Sequence, residues 1–346
     1  MPCAIITGIG GQDGSYLSEF LLTKNYSVYG MIRRHSSLII LDRLNTSRKN
    51  PNFHLTYGDI TDIASIMNIF NEVLRDPASN DGPIEVYNLA AQSHVKVSFD
   101  SPMYTSTVST IGVLNILETI LKMNLIERVR FYQASTSELY GSSLPPQNEE
   151  TPFCPRSPYA IAKLYAYWIV RNYRESYNMF ATNGILFNHE SERRGETFVT
   201  RKITRTIAEI CKGTKKTLVL GNLDAKRDWG YAADYVEAMW EILQQSKPED
   251  FVIATGEAHS VREFVEEAFK LVNINIKWSG EGLNEKGINE ETNEILVSID
   301  KKYYRPTEVN HLCGDPTKAN TVLKWKPKVN FKDLVKIMLE YDIKTI

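Results

Sequence analysis

The chain has 346 residues, a length that fits two domains or one large α/β unit with a smaller appendage. Its 40 basic and 42 acidic residues leave a formal net charge of −2, and no apolar run reaches the ~18 residues of a membrane span, so we predict neither nucleic acid nor a membrane as a partner. The scattered Cys3, Cys154, Cys211 and Cys313 and the absence of a leader-like N-terminus predict free thiols, no metal centre and a cytoplasmic location.

Short apolar runs alternate with amphipathic stretches through the first half of the chain. The runs are continuously apolar, as in strands covered by helices on both faces, so we predict an α/β fold with a Rossmann-type, doubly wound parallel sheet. The predicted strands are Ala4–Thr7, Ser27–Ile32, Phe53–Tyr57, Glu85–Leu89, Val129–Ala134 and Ala181–Phe187. The predicted helices between them are Gln12–Lys24, Ile63–Arg75, Val108–Met123 and Pro158–Tyr177.

The second half of the chain is less regular. We predict helices near Asp234–Gln244, Val261–Val272 and Lys332–Tyr341, and a surface loop at the polar segment Asn284–Thr292. We therefore divide the chain into a dinucleotide-binding domain at residues 1–188, with residues 222–258 packing back on it, and a mainly substrate-binding lobe at residues 189–346.

A glycine-rich turn lies directly between the first predicted strand and the first predicted helix. Gly8, Gly11 and Gly14 form a G-x-x-G-x-x-G pattern, which allows a tight turn and brings the backbone close to a pyrophosphate at the helix N-terminus. The alternative is a plain glycine-rich turn, but the position after a strand and before a helix favours a dinucleotide site.

Two arginines follow the second predicted strand, where an enzyme that selects NAD usually offers an acid. Arg33 and Arg34, with the hydroxyls of Ser36 and Ser37, favour the 2′-phosphate of NADP, and the alternative is a solvated basic turn. Asp59 follows the third strand and either accepts from the adenine amino group or caps the helix near Ile63.

Tyr159 and Lys163 stand four residues apart on one predicted helix, which Ser157 caps. An ammonium beside a phenol, with a positive nicotinamide close by, favours the phenolate, so we expect a lowered pKa for Tyr159 and a role as general base on an alcohol. The alternative is a surface pair in which the lysine reaches for solvent.

Polar side chains also follow the fifth predicted strand. Ligands of parallel sheets lie beyond the carboxyl ends of the strands, so Thr136, Ser137 and Glu138 should face a substrate. A plain dehydrogenase needs only a hydroxyl here, whereas Glu138 could remove a proton from carbon beside a ketone. The alternative for Glu138 is an acid in the first turn of a helix.

Three polar runs follow later in the chain, at 186–195, 226–230 and 304–308. Arginines from separate runs can clamp a diphosphate, which favours a nucleotide-diphosphate substrate over mere surface solvation.

These motifs resemble the nucleotide-sugar 4,6-dehydratases of the extended short-chain dehydrogenase/reductase family. The resemblance rests on Thr7–Leu17 (TGIGGQDGSYL), Arg33–Ser37 (RRHSS), Asn88–Phe99 (NLAAQSHVKVSF), Ser135–Gly141 (STSELYG), Ser157–Lys163 (SPYAIAK), Phe187–Ile203 (FNHESERRGETFVTRKI) and Arg227–Trp240 (RDWGYAADYVEAMW). One departure is Ser191-Glu192, where the family typically has Ser-Pro.

The resemblance implies NADP as the cofactor, GDP-mannose as the substrate, and the following contacts. Cofactor contacts would be Gly8, Ile9, Gly10, Gly11, Gln12, Asp13, Gly14, Arg33, Arg34, His35, Ser36, Asp59, Ile60, Leu89, Ala90, Ala91, Gln92, Ser93, Tyr104, Tyr159, Lys163, His189 and Arg194. Substrate contacts would be Ser93, Asn188, Asn222, Arg227, Arg305 and Glu308.

The same resemblance implies a hydride moved internally from carbon 4 to carbon 6 of the sugar, with loss of water. Thr136, Ser137, Glu138, Tyr159 and Lys163 would be the catalytic residues. It also implies a homotetramer in which the segment Arg33–Leu44 reaches a neighbouring subunit's cofactor. A 4-epimerase of the same fold and a noncatalytic NADP-sensing protein remain as alternatives, although epimerases usually lack the glutamate.

Overall fold

The computed structural model describes residues 1–34, 42–79 and 82–346. The strands are β1 Cys3–Thr7, β2 Ser27–Ile32, β3 Phe53–Tyr57, β4 Ile84–Asn88, β5 Val129–Ala134, β6 Phe180–Leu186, β7 Asn188–Glu190, β8 Leu218–Leu220, β9 Lys226–Arg227, β10 Trp229–Tyr231, β11 Phe251–Ile253, β12 His259–Ser260, β13 Ile276–Ser279, β14 Lys286–Asn289 and β15 Ile295–Ile299. The helices are α1 Gln12–Thr23, α2 Ile63–Arg75, α3 Val95–Asp100, α4 Pro102–Ser109, α5 Ile111–Lys122, α6 Pro158–Tyr177, α7 Val199–Cys211, α8 Ala232–Gln244, α9 Val261–Lys270 and α10 Phe331–Thr345.

A seven-stranded sheet in the order β11-β6-β5-β4-β1-β2-β3 forms the centre of the molecule. Every neighbouring pair in it is parallel, and β1 lies between β2 and β4. The prediction of a doubly wound parallel sheet is confirmed. Because the strand order reverses at β1 and β4, the carboxyl ends of these two strands border the crevice where such sheets bind ligands.

Helices cover both faces of this sheet. On one face, Leu17 and Leu21 of α1 pack in the same core as Val236 and Met239 of α8, so a helix from late in the chain returns to the first sheet. The opposite face carries a second core from α2, α5 and α6. The division of the chain into two domains stays a prediction.

A second sheet, formed later in the chain, is the centre of a smaller lobe. Strands β13, β14, β15 and β8 form a mixed sheet, and a third core that includes Ile203, Phe264, Val297 and Leu334 joins it to α7, α9 and α10. The four cysteines are free thiols. None of the helices in the described part of the chain has the length and apolar character of a membrane span.

Two sequence predictions about these elements are wrong. The segment Asn284–Thr292 was expected to be a loop, yet β14 lies inside it and pairs with both β13 and β15. Its Lys286-Gly287-Ile288-Asn289 sequence carries one large apolar side chain, so the alternation that marks a strand is weak. The helix expected at Val108–Met123 is instead two helices, α4 and α5, separated at Thr110.

Candidate active site

A cavity of about 930 Å³ opens at the carboxyl ends of the parallel strands, between the large sheet and the smaller lobe. Most residues predicted to bind cofactor or substrate line it. They are Gly8, Gly10, Gly11, Gln12, Asp13, Gly14, Arg33, Asp59, Ile60, Leu89, Ala90, Ala91, Ser93, Tyr104, Thr136, Ser137, Glu138, Tyr159, Lys163, Asn188, His189, Arg194, Asn222, Arg227, Arg305 and Glu308.

Three predicted contacts among the described residues, Ile9, Arg34 and Gln92, do not belong to this lining. Ile9 is fully buried and packs under Gly30, and Gln92 accepts a hydrogen bond from the Thr105 hydroxyl at 3.1 Å. Arg34 lies over the ring of Tyr57 instead of facing the cavity. His35 and Ser36 lie outside the described residues, as does most of the segment Arg33–Leu44.

The glycine turn leaves space that any side chain would fill. Gly8 has a φ of +71°, and a Cβ there would lie 2.9 Å from the backbone nitrogen of Ala90. A Cβ on Gly14 would lie 2.6 Å from the carbonyl oxygen of Gly8. No side chain caps the N-terminus of α1 at Gly11, so its N–H groups remain available to an anion. The turn therefore fits the pyrophosphate of a dinucleotide.

An ion pair fixes this turn to strand β7. His189 places Nε2 at 2.8 Å from Oδ2 of Asp13 and Nδ1 at 2.8 Å from the carbonyl oxygen of Phe187. Both ring nitrogens face acceptors, so both donate and the ring is an imidazolium. Burial opposes the charge of Asp13, but attraction to His189 prevails and lowers the pKa of Asp13 to about 2. Asp13 and His189, both predicted to contact the cofactor, thus form an ion pair with each other.

Arginine side chains flank the glycine turn. Arg33 donates to the hydroxyl of Tyr104 and lies over its ring. Arg43 donates from Nη1 to the carbonyl oxygen of Gly10 at 3.2 Å and lines the cavity, although the sequence analysis missed it. The signal in the sequence that could have identified Arg43 is its position as a basic residue shortly after the Arg33-Arg34 pair. These guanidinium groups suit the 2′-phosphate of NADP.

Asp59 does not cap helix α2. Its Oδ1 accepts from the backbone N–H of Thr61 at 2.9 Å, while the cap of α2 is Asp62, which accepts from the N–H of Ala64 at 3.1 Å. The alternative of a helix cap at Asp59 is wrong, and Asp59 lines the cavity.

The turn after β5 places three predicted catalytic side chains together. Thr136 ends the extended segment, and its hydroxyl accepts from the N–H of Glu138 at 3.2 Å, which starts the short 3₁₀ helix Ser137–Leu139. Ser137 and Glu138 are buried and line the cavity. Glu138 does lie in a first helical turn, but its carboxylate accepts from Nη1 of Arg305 at 3.1 Å across the cavity.

Helix α6 carries the other two predicted catalytic residues, Tyr159 and Lys163. Ser157 caps it by accepting from the N–H of Ala160 at 3.1 Å, as predicted. Tyr159 is 7% exposed and Lys163 3% exposed, so the alternative of a surface pair is wrong. Lys163 donates from Nζ to the carbonyl oxygen of Ala134 at 2.9 Å, and Nζ lies 5.9 Å from the centre of the Tyr159 ring.

The lowered pKa expected for Tyr159 beside Lys163 and a bound nicotinamide stays a prediction, because the protein alone shows the opposite direction. Burial raises the pKa of Tyr159 to about 12, although contact with the Thr136 hydroxyl acts to lower it. Burial also lowers the pKa of Lys163 to about 8, against the opposing effect of Asp13. The sequence indicated the neighbouring ammonium but not how completely both groups are buried.

The opposite wall of the cavity is basic. Arg227 is 6% exposed, and burial lowers its pKa to about 10 despite the nearby Glu138. The carboxylate of Glu308 lies 3.8 Å from Nη2 of Arg227 and 4.0 Å from Nε of Arg305. Asn188 and Asn222 lie on the same lining. The wall therefore offers two guanidinium groups from separate segments to an anion.

Other cations on this lining were not singled out from the sequence. Lys202 lies in the quoted segment Phe187–Ile203, with Nζ 3.2 Å from the centre of the Tyr303 ring. Lys96 donates to the carbonyl oxygen of Tyr304 at 3.3 Å. Within the described ranges, no group of three or more His, Cys, Asp or Glu side chains is placed to share a metal ion.

The parallel sheet, the glycine turn at its switch point and the buried Tyr159–Lys163 pair define the class of extended short-chain dehydrogenase/reductases. A solved structure supports this fold: dTDP-glucose 4,6-dehydratase from Bacillus anthracis, in complex with NAD, has a TM-score of 0.79 at 20% identity and matches over 100% of this chain and 97% of that chain.

Sequence comparisons identify the family within that class. A family model described as GDP-mannose 4,6 dehydratase matches residues 5–338. The chain is similar to a GDP-mannose 4,6 dehydratase of Dictyostelium discoideum, at 55% identity over 99% of this chain and 96% of that protein. It is also similar to one of Homo sapiens, at 56% identity over 98% and 91% of the two chains. The chain belongs to the GDP-mannose 4,6-dehydratase family, which confirms the resemblance drawn from the motifs.

Proposed function

We propose that the protein is a hydro-lyase that converts GDP-D-mannose to GDP-4-keto-6-deoxy-D-mannose and water, the first step toward GDP-6-deoxyhexoses. The observation that carries this proposal is the place of Glu138. A carboxylate shares one cavity wall with Thr136 and Tyr159, so proton removal from carbon can follow oxidation of an alcohol in the same site.

The cofactor we propose is NADP. The glycine turn accommodates a pyrophosphate, and Arg33 and Arg43 flank it with the charge that a 2′-phosphate requires. When bound there, the nicotinamide supplies a hydride acceptor for carbon 4 and returns the hydride at carbon 6. Lys163 is placed to hold the nicotinamide ribose after leaving the carbonyl oxygen of Ala134.

Tyr159 and Thr136 act on the 4-hydroxyl of the mannose. Tyr159 removes the hydroxyl proton, and Thr136 holds the oxygen that becomes the ketone. Since burial raises the pKa of Tyr159, the phenolate needs positive charge nearby, which Lys163 and the oxidised cofactor provide.

Glu138 performs the elimination. The 4-ketone acidifies the proton on carbon 5, Glu138 takes that proton, and the carboxyl group then protonates the 6-hydroxyl, which leaves as water with assistance from Ser137. As the hydride returns to carbon 6, carbon 5 regains a proton, which balances the one that Tyr159 took from the 4-hydroxyl, so the sugar loses one water and no cofactor is consumed.

The basic wall holds the rest of the substrate. Arg227 and Arg305 bind the diphosphate, and Asn188, Asn222 and Glu308 position the nucleotide, while Ser93 lies on the sugar side. These assignments follow from their shared lining and from the two converging guanidinium groups.

The protein also forms a homotetramer in this proposal. Ile161, Tyr165 and Trp168 expose apolar side chains along one face of α6, and Met103 and Ile111 are exposed on the adjoining α4 and α5. Such a contiguous apolar face is typical of a self-association surface. Because its four cysteines are free thiols, we propose that the protein is cytoplasmic.

Mass spectrometry of the sugar nucleotide tests the proposed function. Purified protein stripped of cofactor is incubated with GDP-mannose and either NADP⁺ or NAD⁺. We expect loss of one water with NADP⁺ and no accumulation of free NADPH. A new isomer of unchanged mass would indicate an epimerase instead, and no reaction with GDP-mannose would contradict the proposal.

A further inference from the structure

The carboxylate assigned as the base is not free in the protein alone. Oε1 of Glu138 accepts from Nη1 of Arg305 at 3.1 Å, and the two residues lie 167 positions apart in the chain. Glu138 follows β5 of the large sheet, whereas Arg305 lies in the later lobe, so this ion pair crosses the cavity.

The pair belongs to a chain of alternating charges. Arg305 also approaches Glu308 at 4.0 Å, and Glu308 approaches Arg227 at 3.8 Å. Two guanidinium groups and two carboxylates thus balance each other across the cavity. An incoming diphosphate adds negative charge, and it competes with these carboxylates for the two guanidinium groups.

Arg305 is the guanidinium placed to make that exchange. Its side chain is 26% exposed and lies beyond the short 3₁₀ helix Lys301–Tyr303, outside any regular element. The Arg227 side chain is 7% exposed and also donates to the carbonyl oxygen of Lys226 at 2.9 Å. Arg227 therefore forms the fixed half of a diphosphate clamp and Arg305 the movable half.

We propose that Arg305 determines specificity by exchanging partners: it binds Glu138 while the site is empty and turns to the diphosphate when a sugar nucleotide binds. The inference rests on the proposed function. While Arg305 donates to Oε1 of Glu138 at 3.1 Å, that carboxylate is engaged on the far side of the cavity. Glu138 consequently becomes available to the carbon 5 proton only when a diphosphate fills the site.

The proposed exchange predicts that the site rejects sugars that lack a diphosphate. A hexose or hexose 1-phosphate that reached the cavity would leave Glu138 bound to Arg305, facing Arg227 and Tyr159 as in the empty site. Glu138 would then remain bound to Arg305 and could not act on the sugar. Recognition of the nucleotide moiety is in this way coupled to elimination at the sugar.

A charge-neutral double variant tests the exchange through GDP binding, which requires no turnover. Glu138→Gln/Arg305→Met replaces the ion pair with two neutral side chains and leaves the net charge unchanged. If Arg305 turns to the diphosphate, calorimetry should show at least a five-fold loss of GDP affinity. A loss smaller than five-fold would overturn the proposal, because Arg305 would then contribute little to diphosphate binding.

A matched control and a spectroscopic signature complete the test. Arg262→Met/Glu285→Gln removes a 2.6 Å ion pair of the same lobe away from the cavity lining and should leave GDP affinity unchanged. The infrared carboxylate band of Glu138, isolated as wild type minus Glu138→Gln, should shift when GDP is added, and the shift should be lost in Arg305→Lys. An unmoved band would overturn the exchange even if the double variant fails to fold. Neither the GDP affinity nor the infrared band depends on water loss from GDP-mannose. A failure of the proposed function can therefore be distinguished from a failure of the proposed exchange.

Discussion

Glu138 is the residue that separates an elimination from a simple oxidation at this site. Glu138→Gln keeps the size and the hydrogen-bonding ability of the side chain but removes the base. We expect binding of NADP and GDP-mannose to persist, while turnover falls by about 10²- to 10⁴-fold, the usual contribution of a general base. Mass spectrometry of the released sugar nucleotide measures the loss. The exposed Glu150→Gln is the matched control, and full activity in Glu138→Gln would contradict the proton-abstraction role.

Tyr159 provides a prediction about pH. Burial raises its pKa to about 12 in the protein alone, so phenolate should be scarce below that pH. Positive charge from bound NADP⁺ stabilises the phenolate and should move its formation to lower pH. The difference in ultraviolet absorbance between wild type and Tyr159→Phe, followed against pH with and without NADP⁺, measures this. Identical titration curves would show that the cofactor does not activate Tyr159.

Sequence alone predicted that much of the proposed catalytic set lies together, because its rules are local. Tyr159 and Lys163 share a helix face by spacing, and Thr136 and Glu138 follow a strand end that faces the ligand crevice. The contact between Glu138 and Arg305 joins residues 167 positions apart, and no periodicity or motif encodes such a contact. The pairing of Asp13 with His189 was missed for the same reason.

The glycine turn between β1 and α1 leaves no room for a side chain at Gly14. A Cβ on Gly14 would meet the carbonyl oxygen of Gly8 at 2.6 Å and Cα of Ile9 at 2.7 Å, and both are backbone atoms. We expect Gly14→Ala to destabilise the protein by about 1–3 kcal/mol, the usual cost of overpacking, and to weaken NADP binding. Urea unfolding and calorimetry measure the two effects.

Gly82 supplies the control for that substitution. A Cβ there would meet no atom within 4 Å, so Gly82→Ala should change neither stability nor cofactor affinity. Equal stability of the Gly14→Ala and Gly82→Ala variants would contradict this prediction. It would mean that the backbone around Gly14 can move to make room for a Cβ.

The elements themselves were predictable to differing degrees. Strands β1 to β6 begin and end within one residue of the predicted bounds, because continuously apolar runs mark strands buried on both faces. Strand β14 escaped prediction because Lys286, Gly287 and Asn289 leave Ile288 as its one large apolar side chain. Its place depends on pairing with β13 and β15, which is tertiary information.

At the scale of the whole molecule, the exposed apolar face of α6 is the surface that we propose joins the subunits. Trp168 is 52% exposed and Ile161 59% exposed, and they lie about two turns apart on the face of α6 opposite the buried Lys163 and Tyr167. If this face joins subunits, Trp168→Glu should shift the protein to a smaller oligomer, since an unpaired charge in an apolar interface is costly.

Light scattering coupled to size-exclusion chromatography measures the oligomeric state of that variant. Leu144→Glu changes a side chain that is 84% exposed on a loop, and it should leave the state unchanged. A Trp168→Glu protein of wild-type mass would place the subunit interface elsewhere.

The central claim is that one site moves a hydride from carbon 4 to carbon 6 of the same sugar. GDP-mannose carrying deuterium at carbon 4 tests it directly, with the product examined by mass spectrometry and by nuclear magnetic resonance. The account predicts that the product has lost one water and retains the deuterium on carbon 6. Deuterium that appears in free NADPH or in solvent, or that stays on carbon 4 of an isomer, would contradict it.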